Sequence, residues 1–168
     1  DLTYIMLKPA EIFFRMLRYS EFDISEMSLS NYLTELSGGN PRFIAIPVFP
    51  SRFFRHSCIF VNRKSGIKTP QALKGKRVGT PEYSITAGLF IRGLLQHEYG
   101  VAPSDIEWYV GGQEEPGREE RIEVNIPKNV HIHPIPRDKT LNEMLANGEI
   151  EALASSRAPS CFWANHPD

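Results

Sequence analysis

From Ala87 the apolar residues Ala87, Phe90, Ile91, Leu94 and Leu95 fall at i, i+3, i+4, i+7 and i+8, which predicts one buried face of a helix closed by Gly100. Just before it, Lys76 to Gly79 reads as a short strand that turns through Thr80 and Pro81. A strand, a tight turn and a helix N-terminus in succession leave unpaired backbone N–H groups above the strand, and the helix dipole favours an anion there. The segment Thr80 to Thr86 is therefore expected to receive a carboxylate or a phosphate, and the rest of the chain can be placed around it.

Leu2 to Leu7 reads as a strand, Ala10 to Tyr19 as an amphipathic helix with Glu11 in its first turn, and Phe22 to Met27 as a second strand. A helix from Asn31 to Leu36, capped by a serine, is stopped by Gly38, Gly39, Asn40 and Pro41. This strand, helix, strand, helix order predicts a parallel sheet with crossover helices. The apolar run Phe43 to Phe49 predicts a strand covered on both faces, with Pro47 and Pro50 confining its later half to an edge. Cys58 to Val61 is a further buried strand, and Asn62 to Pro70 a polar crossover that leads into a helical turn with Thr69 as N-cap.

Beyond the long helix, Ser104 to Val110 reads as a strand that runs into Gly111 and Gly112. Gln113 to Arg121 reads as a charged surface flap, and His131 to His133 as a strand. A short helix over Leu141 to Leu145, capped by Thr140 and ended by Gly148, precedes a last strand at Ile150 to Ala154.

With 168 residues, 41% hydrophobic and 11% aromatic, the chain can build a core, and disorder is not expected. A net charge of −1 without a Lys/Arg run gives no reason to expect nucleic acid or an anionic membrane as partner. No apolar run approaches the length of a membrane span, and no signal peptide is read. Cys58 and Cys161 lack framework or CxxC spacing and are expected to be free thiols.

Four strand ends carry polar or cationic residues: Ser28 with Ser30; Arg52 with Arg55 and His56; Thr80 to Thr86, including Tyr83 and Ser84; and Ser156 with Arg157. In open parallel sheets ligands bind at the carboxyl ends of strands, so these groups could converge on one cleft. Arginine forks, hydroxyls and helix N–H groups together suit anion capture, and two arginines facing one cleft would suit a dicarboxylate. The plainer reading of Arg52 to His56 is a solvated loop with snorkelling side chains. His56 and Glu82 are the general acid or base candidates. No GxSxG, GxxxxGK[ST] or GxGxxG motif is present, and no cofactor is expected. Cys58 beside His56 makes a poor nucleophile pair, since no third group holds the base. His131 and His133 share a strand face, but no third metal ligand of fitting spacing accompanies them, and His97 and His166 are distant in sequence.

Taken together, the runs Ser25 to Ser30, Ile46 to His56 and Gly75 to Tyr83 resemble the 4,5-dihydroxyphthalate decarboxylase family. So do Ile91-Arg92-Gly93, Gly111-Gly112 with Pro116-Gly117-Arg118, and Thr140-Leu141 through Glu149 to Ala152. The resemblance runs over nearly the whole chain. It implies an α/β, type 2 periplasmic-binding-protein-like fold, two lobes with parallel or mixed sheets and flanking helices that clamp a ligand between them. It further implies a cytoplasmic, oligomeric enzyme that removes CO₂ from an aromatic dicarboxylate, with Arg118 joining the substrate-binding residues. Such a protein is about twice this length, so the chain is expected to be a piece with a partial first lobe at residues 1–67 and a second lobe at 68–168. The alternative is a solute-binding protein or sensor of the same fold, periplasmic, that clamps a small aromatic acid without reaction. A metal-dependent hydrolase using His131 and His133 is a third.

Overall fold

Successive residues of the strands in the second half of the chain point to opposite faces of one sheet, and the side chains follow that alternation. In the computed structural model, which describes residues 2–120 and 125–164, the strands are β1 (Ile59–Val61), β2 (Arg77–Thr80), β3 (Glu107–Val110), β4 (His131–Pro134) and β5 (Ala152–Ala154). They form a five-stranded sheet in the order β1-β5-β2-β3-β4. β5, β2, β3 and β4 are mutually parallel and β1 is antiparallel to β5. The α/β class with a mixed sheet and flanking helices is thus the observed one.

One face of the sheet packs Val78, Trp108, Ala152 and Ala154 against Ala87, Ile91 and Leu95. These last three belong to the long helix, which runs from Thr86 to Tyr99. The other face packs Leu153, Tyr109 and Phe60 against Leu141, Met144 and Leu145 of a short helix at Leu141–Ala146. Trp108 is fully buried, so its indole N–H would cost free energy unpaired; it donates to the Pro103 carbonyl at 2.9 Å. Thr140 caps the short helix as expected, its Oγ1 accepting from the Glu143 N–H while the Glu143 carboxylate accepts from the Thr140 N–H.

The chain divides into two compact units, Asp1–Arg52 and Phe53–Asp168. Because β1 is hydrogen-bonded to β5, residues 53–67 go with the sheet. The first unit holds helices α1 (Pro9–Tyr19) and α2 (Leu29–Ser37); the helices of the second are α3 (Thr86–Tyr99), α4 (Leu141–Ala146) and α5 (Ser160–Trp163). Helix α2 ends at Gly38, as read, but its N-cap Ser28 makes no side-chain capping bond.

Three expected strands are absent. Leu2 to Leu7, Phe22 to Met27 and Phe43 to Phe49 have no strand structure, and the order expected for the first residues reduces to two helices. Ile44 is 94% exposed and Val48 63% exposed. A strand needs a neighbour to take its N–H and C=O groups, and none of these segments has one among the described residues. Pro47 removes a donor besides.

The stripe of α3 also differs from its reading. Its buried residues are Ala87, Gly88, Ile91, Arg92 and Leu95, while Phe90 is 47% exposed and Leu94 half-buried. The buried face is rotated toward Arg92, and the reason lies in the site.

Candidate functional site

Strand β2 ends at Thr80, and the five residues that follow carry the chain into α3. Thr80, Glu82, Tyr83 and Ser84 are all buried, an unusual density of polar groups for a loop. Thr80 Oγ1 donates to the Glu82 carbonyl at 3.2 Å, which folds the turn over the strand end. Glu82 is fully buried and ion-paired with Arg118, whose Nε and Nη2 lie 2.6 and 2.5 Å from Oε1.

The expected anion is supplied by the chain itself. The Tyr83 N–H donates to Glu120 Oε1, and the Ser84 N–H donates to Glu120 Oε2 at 3.3 Å. Two consecutive backbone N–H groups thus hold the two oxygens of one carboxylate, next to the N-terminal turn of α3. Thr86 is the first residue of that helix. The segment 113–120, read as a flap, delivers both Arg118 and Glu120 to this turn.

Arg92 was missed as a site residue. It is 7% exposed, and its Cζ lies 3.6 Å from the centroid of the Tyr83 ring and 5.8 Å from that of Trp108. Burial pushes its guanidinium down from its ordinary value, opposed by the charges of Tyr83 and Glu120. Burial likewise pushes the Tyr83 phenol up, opposed by Arg92. The signal available in the sequence was Gly88, four residues before Arg92 on the same helical face.

The other candidates separate into groups. Arg157 lies beyond β5; its N–H donates to Ser155 Oγ at 3.3 Å, and its carbonyl accepts from Gln113 at 3.1 Å. Gln113 also accepts from Ser155 Oγ at 2.5 Å, so the loops after β3 and β5 are tied together at the carboxyl end of the sheet. Ser156 is exposed beside them. Arg55 and His56 form a 3-10 turn with Ser57 ahead of β1. The Arg55 guanidinium is 5.6 Å from the Phe53 ring centroid. His56 Nε2 is 3.5 Å from Glu98, in the last turn of α3. Glu98 is twelve residues beyond Thr86, about 18 Å along the helix axis, so His56 does not share a turn with Glu82.

In the first unit Ser28 and Ser30 are buried with their hydroxyls 3.1 Å apart. Beside them Asn31, not read as a candidate, is 1% exposed, and its amide atoms have no hydrogen-bond partner among the described residues. Arg52 closes that unit with its guanidinium 5.7 Å from the Phe49 ring centroid.

On β4, His133 Nε2 is 2.7 Å from Glu107 and its ring stacks at 5.1 Å on Tyr109. Among the described residues no three His, Cys, Asp or Glu side chains form a group able to hold a metal. Cys58 and Cys161 are free thiols. Burial, with the charge of Glu114, pushes the Cys161 thiol up. Arg121 and His166 lie outside the described residues. Among the described residues no helix is long and apolar enough to cross a membrane.

Comparison with known proteins covers nearly the whole chain. Residues 54–116, from the turn before β1 into the loop after β3, match the family described as NMT1/THI5 like, which has a periplasmic-binding-protein-like fold. A protein of Comamonas testosteroni named 4,5-dihydroxyphthalate decarboxylase is 46% identical over 167 residues, 99% of this chain and 51% of the relative. One of the same name from Pseudomonas putida is 44% identical over 99% of this chain and 65% of its own length. The chain therefore spans about half to two thirds of these relatives. The family resemblance read from the motifs is met: nearly the whole chain is similar to proteins named 4,5-dihydroxyphthalate decarboxylase, and its centre matches the NMT1/THI5-like family.

Proposed function

We propose that the complete protein is a carboxy-lyase that converts 4,5-dihydroxyphthalate to protocatechuate and CO₂. The names of its homologues suggest the substrate, and one observation in this chain carries the reading: the Tyr83 and Ser84 N–H groups hold a carboxylate at the head of α3. A ring with two adjacent carboxylates offers one to anchor and one to lose. Anchoring fixes the ring so that a proton can be added to the carbon bearing the second carboxylate. Electrons supplied by the hydroxyl para to that carbon stabilise the protonated ring, and breaking the C–CO₂ bond restores aromaticity.

Of the two proton-donor candidates, Glu82 lies at the edge that holds the carboxylate. In its ion pair with Arg118 it is an acceptor, so opening of the 113–120 segment precedes any proton delivery from it.

Incubating the complete protein with 4,5-dihydroxyphthalate and assaying CO₂ and protocatechuate tests the reading. Binding without turnover would instead support a non-catalytic carrier or sensor for the same acid. That second reading is favoured by the ion-paired state of Glu82. The enzyme reading goes with a cytoplasmic homo-oligomer and the carrier with a periplasmic protein, and fractionation with light scattering separates the two.

A further inference from the structure

A helical arginine points its side chain back toward the helix N-terminus, over the residue four positions earlier. At Arg92 that residue is Gly88, and the absence of a side chain is what lets the guanidinium lie there. A Cβ on Gly88 would be 3.1 Å from Arg92 Nη1 and 3.4 Å from Thr80 Oγ1. The guanidinium therefore lies over the first turn of α3, close to the end of β2 and against the ring of Tyr83, the residue whose N–H holds Glu120.

This arginine is buried, and its Nη1 has no hydrogen-bond partner among the described residues. The rings of Tyr83 and Trp108 stabilise its charge from the side, but rings do not satisfy an N–H donor in the plane of the fork. A buried guanidinium with an open donor is costly unless an acceptor, preferably an anion, completes it. Glu120 is near enough for its charge to act on Arg92, but it is an exposed residue on a loop, and both its oxygens are already engaged by backbone N–H groups.

We infer that Arg92, with the N–H groups of Tyr83 and Ser84, forms a carboxylate subsite that Glu120 fills from within the chain and that one carboxylate of an aromatic dicarboxylate takes over. The inference deepens the decarboxylase reading and takes its substrate class from it. Arg92 supplies what Glu120 leaves open, a charge-assisted bond from the fork, and the Tyr83 ring already lies against the guanidinium. Glu120 acts as an intramolecular competitor: it neutralises the subsite between ligands and lowers apparent affinity by the share of time it occupies the N–H pair.

The test is the Kd of phthalate, a non-hydroxylated probe, measured calorimetrically on the complete protein and on Arg92→Met, Arg92→Lys and Glu120→Gln. Arg92→Met keeps the apolar stem and is expected to weaken phthalate at least tenfold, with Arg92→Lys intermediate. Glu120→Gln is expected to tighten it threefold or more. Glu120 is exposed, so its variant is decisive even where Arg92→Met does not fold. A wild-type protein that does not bind phthalate, an unchanged Kd in a folded Arg92→Met, or unchanged or weaker binding in Glu120→Gln would overturn the inference. Turnover of 4,5-dihydroxyphthalate is scored separately. Arg92-dependent binding without CO₂ release sinks the decarboxylase reading and leaves the subsite standing.

Discussion

Glu82 and Arg118 form an ion pair of unequal burial, a carboxylate with 0% exposure gripped by a guanidinium that is 38% exposed. The buried partner belongs to the turn after β2 and the exposed one to the loop after β3, so the pair pins that loop across the head of α3. Removing the exposed partner leaves Glu82 buried without this countercharge, which is costlier than removing the charge itself. Arg118→Met is expected to destabilise the protein by about 2–3 kcal/mol, less than the ~3–5 kcal/mol of pairs buried on both sides. Glu82→Gln combined with Arg118→Met should cost less than Arg118→Met alone. Urea unfolding of wild type and the two variants measures both, and an Arg118→Met loss below about 0.5 kcal/mol would place the pair with ordinary surface bridges.

The same loop turns at Gly112, where a Cβ would be 1.6 Å from the Glu115 carbonyl oxygen. An overlap of that depth with backbone is relieved only by moving the chain. Gly112→Ala is therefore expected to displace the segment that carries Arg118 and Glu120 and to release the Tyr83 and Ser84 N–H groups. Hydrogen exchange should accelerate at least tenfold at those two amides while Trp108, in the core, keeps its protection. Unchanged exchange at Tyr83 would mean that Glu120 does not hold it.

Most of the sheet unit was legible because its signals are local. Thr140 with Glu143 is a capping box, Gly100 closes α3, and Val78 and Trp108 alternate with their neighbours as strand residues do. The first 52 residues were not legible as strands, because apolarity at Phe43 to Phe49 says nothing of a pairing partner, and the run lies exposed. Within the site, the N–H pair at Tyr83 and Ser84 followed from the strand–turn–helix pattern. Arg92 did not, because counting apolar positions assigns a charge to the solvent face unless the glycine four residues earlier is read with it. Glu120 was hidden for a different reason: a loop of mixed charge does not reveal which carboxylate folds back.

The strands β2 and β5 are clamped at their start by Arg77 and Glu151, with Nη2 2.7 Å from Oε1 and the Arg77 N–H donating to Oε2 at 2.9 Å. Burial alone would push the Glu151 carboxyl up, but the side-chain and backbone hydrogen bonds from Arg77, with its charge, outweigh it and hold the group below its ordinary value. A carboxyl lowered in the folded state stabilises above its unfolded value, about 4.3, and loses that contribution as pH falls through the folded value. The contribution is modest, about 0.5–1 kcal/mol, because Arg77 is partly exposed. The stability gap between wild type and Glu151→Gln should be constant near pH 7 and shrink toward pH 3. A gap that widens on acidification would contradict the assignment.

His56 provides the sharpest division between what its sequence neighbours suggest and where it lies. Its expected place at a strand end near the cleft makes it a general acid candidate, and a general acid contributes roughly 10²–10⁴ in rate. Its imidazole, however, is half-exposed and lies 3.5 Å from Glu98, in the last turn of the helix whose first turn carries the carboxylate. A donor must come within hydrogen-bond reach of the ring carbon it protonates, and about 18 Å of helix separates Glu98 from Thr86. In the complete protein, His56→Ala is accordingly expected to leave kcat for 4,5-dihydroxyphthalate within about threefold of wild type, whereas a general acid would cost the larger factors above. Glu82→Gln should lower kcat by at least about a hundredfold if Glu82 is the donor. Should the large loss fall on His56 instead, the proton path runs through the turn ahead of β1, and the carboxylate held at Tyr83 and Ser84 is then not the anchor for that chemistry.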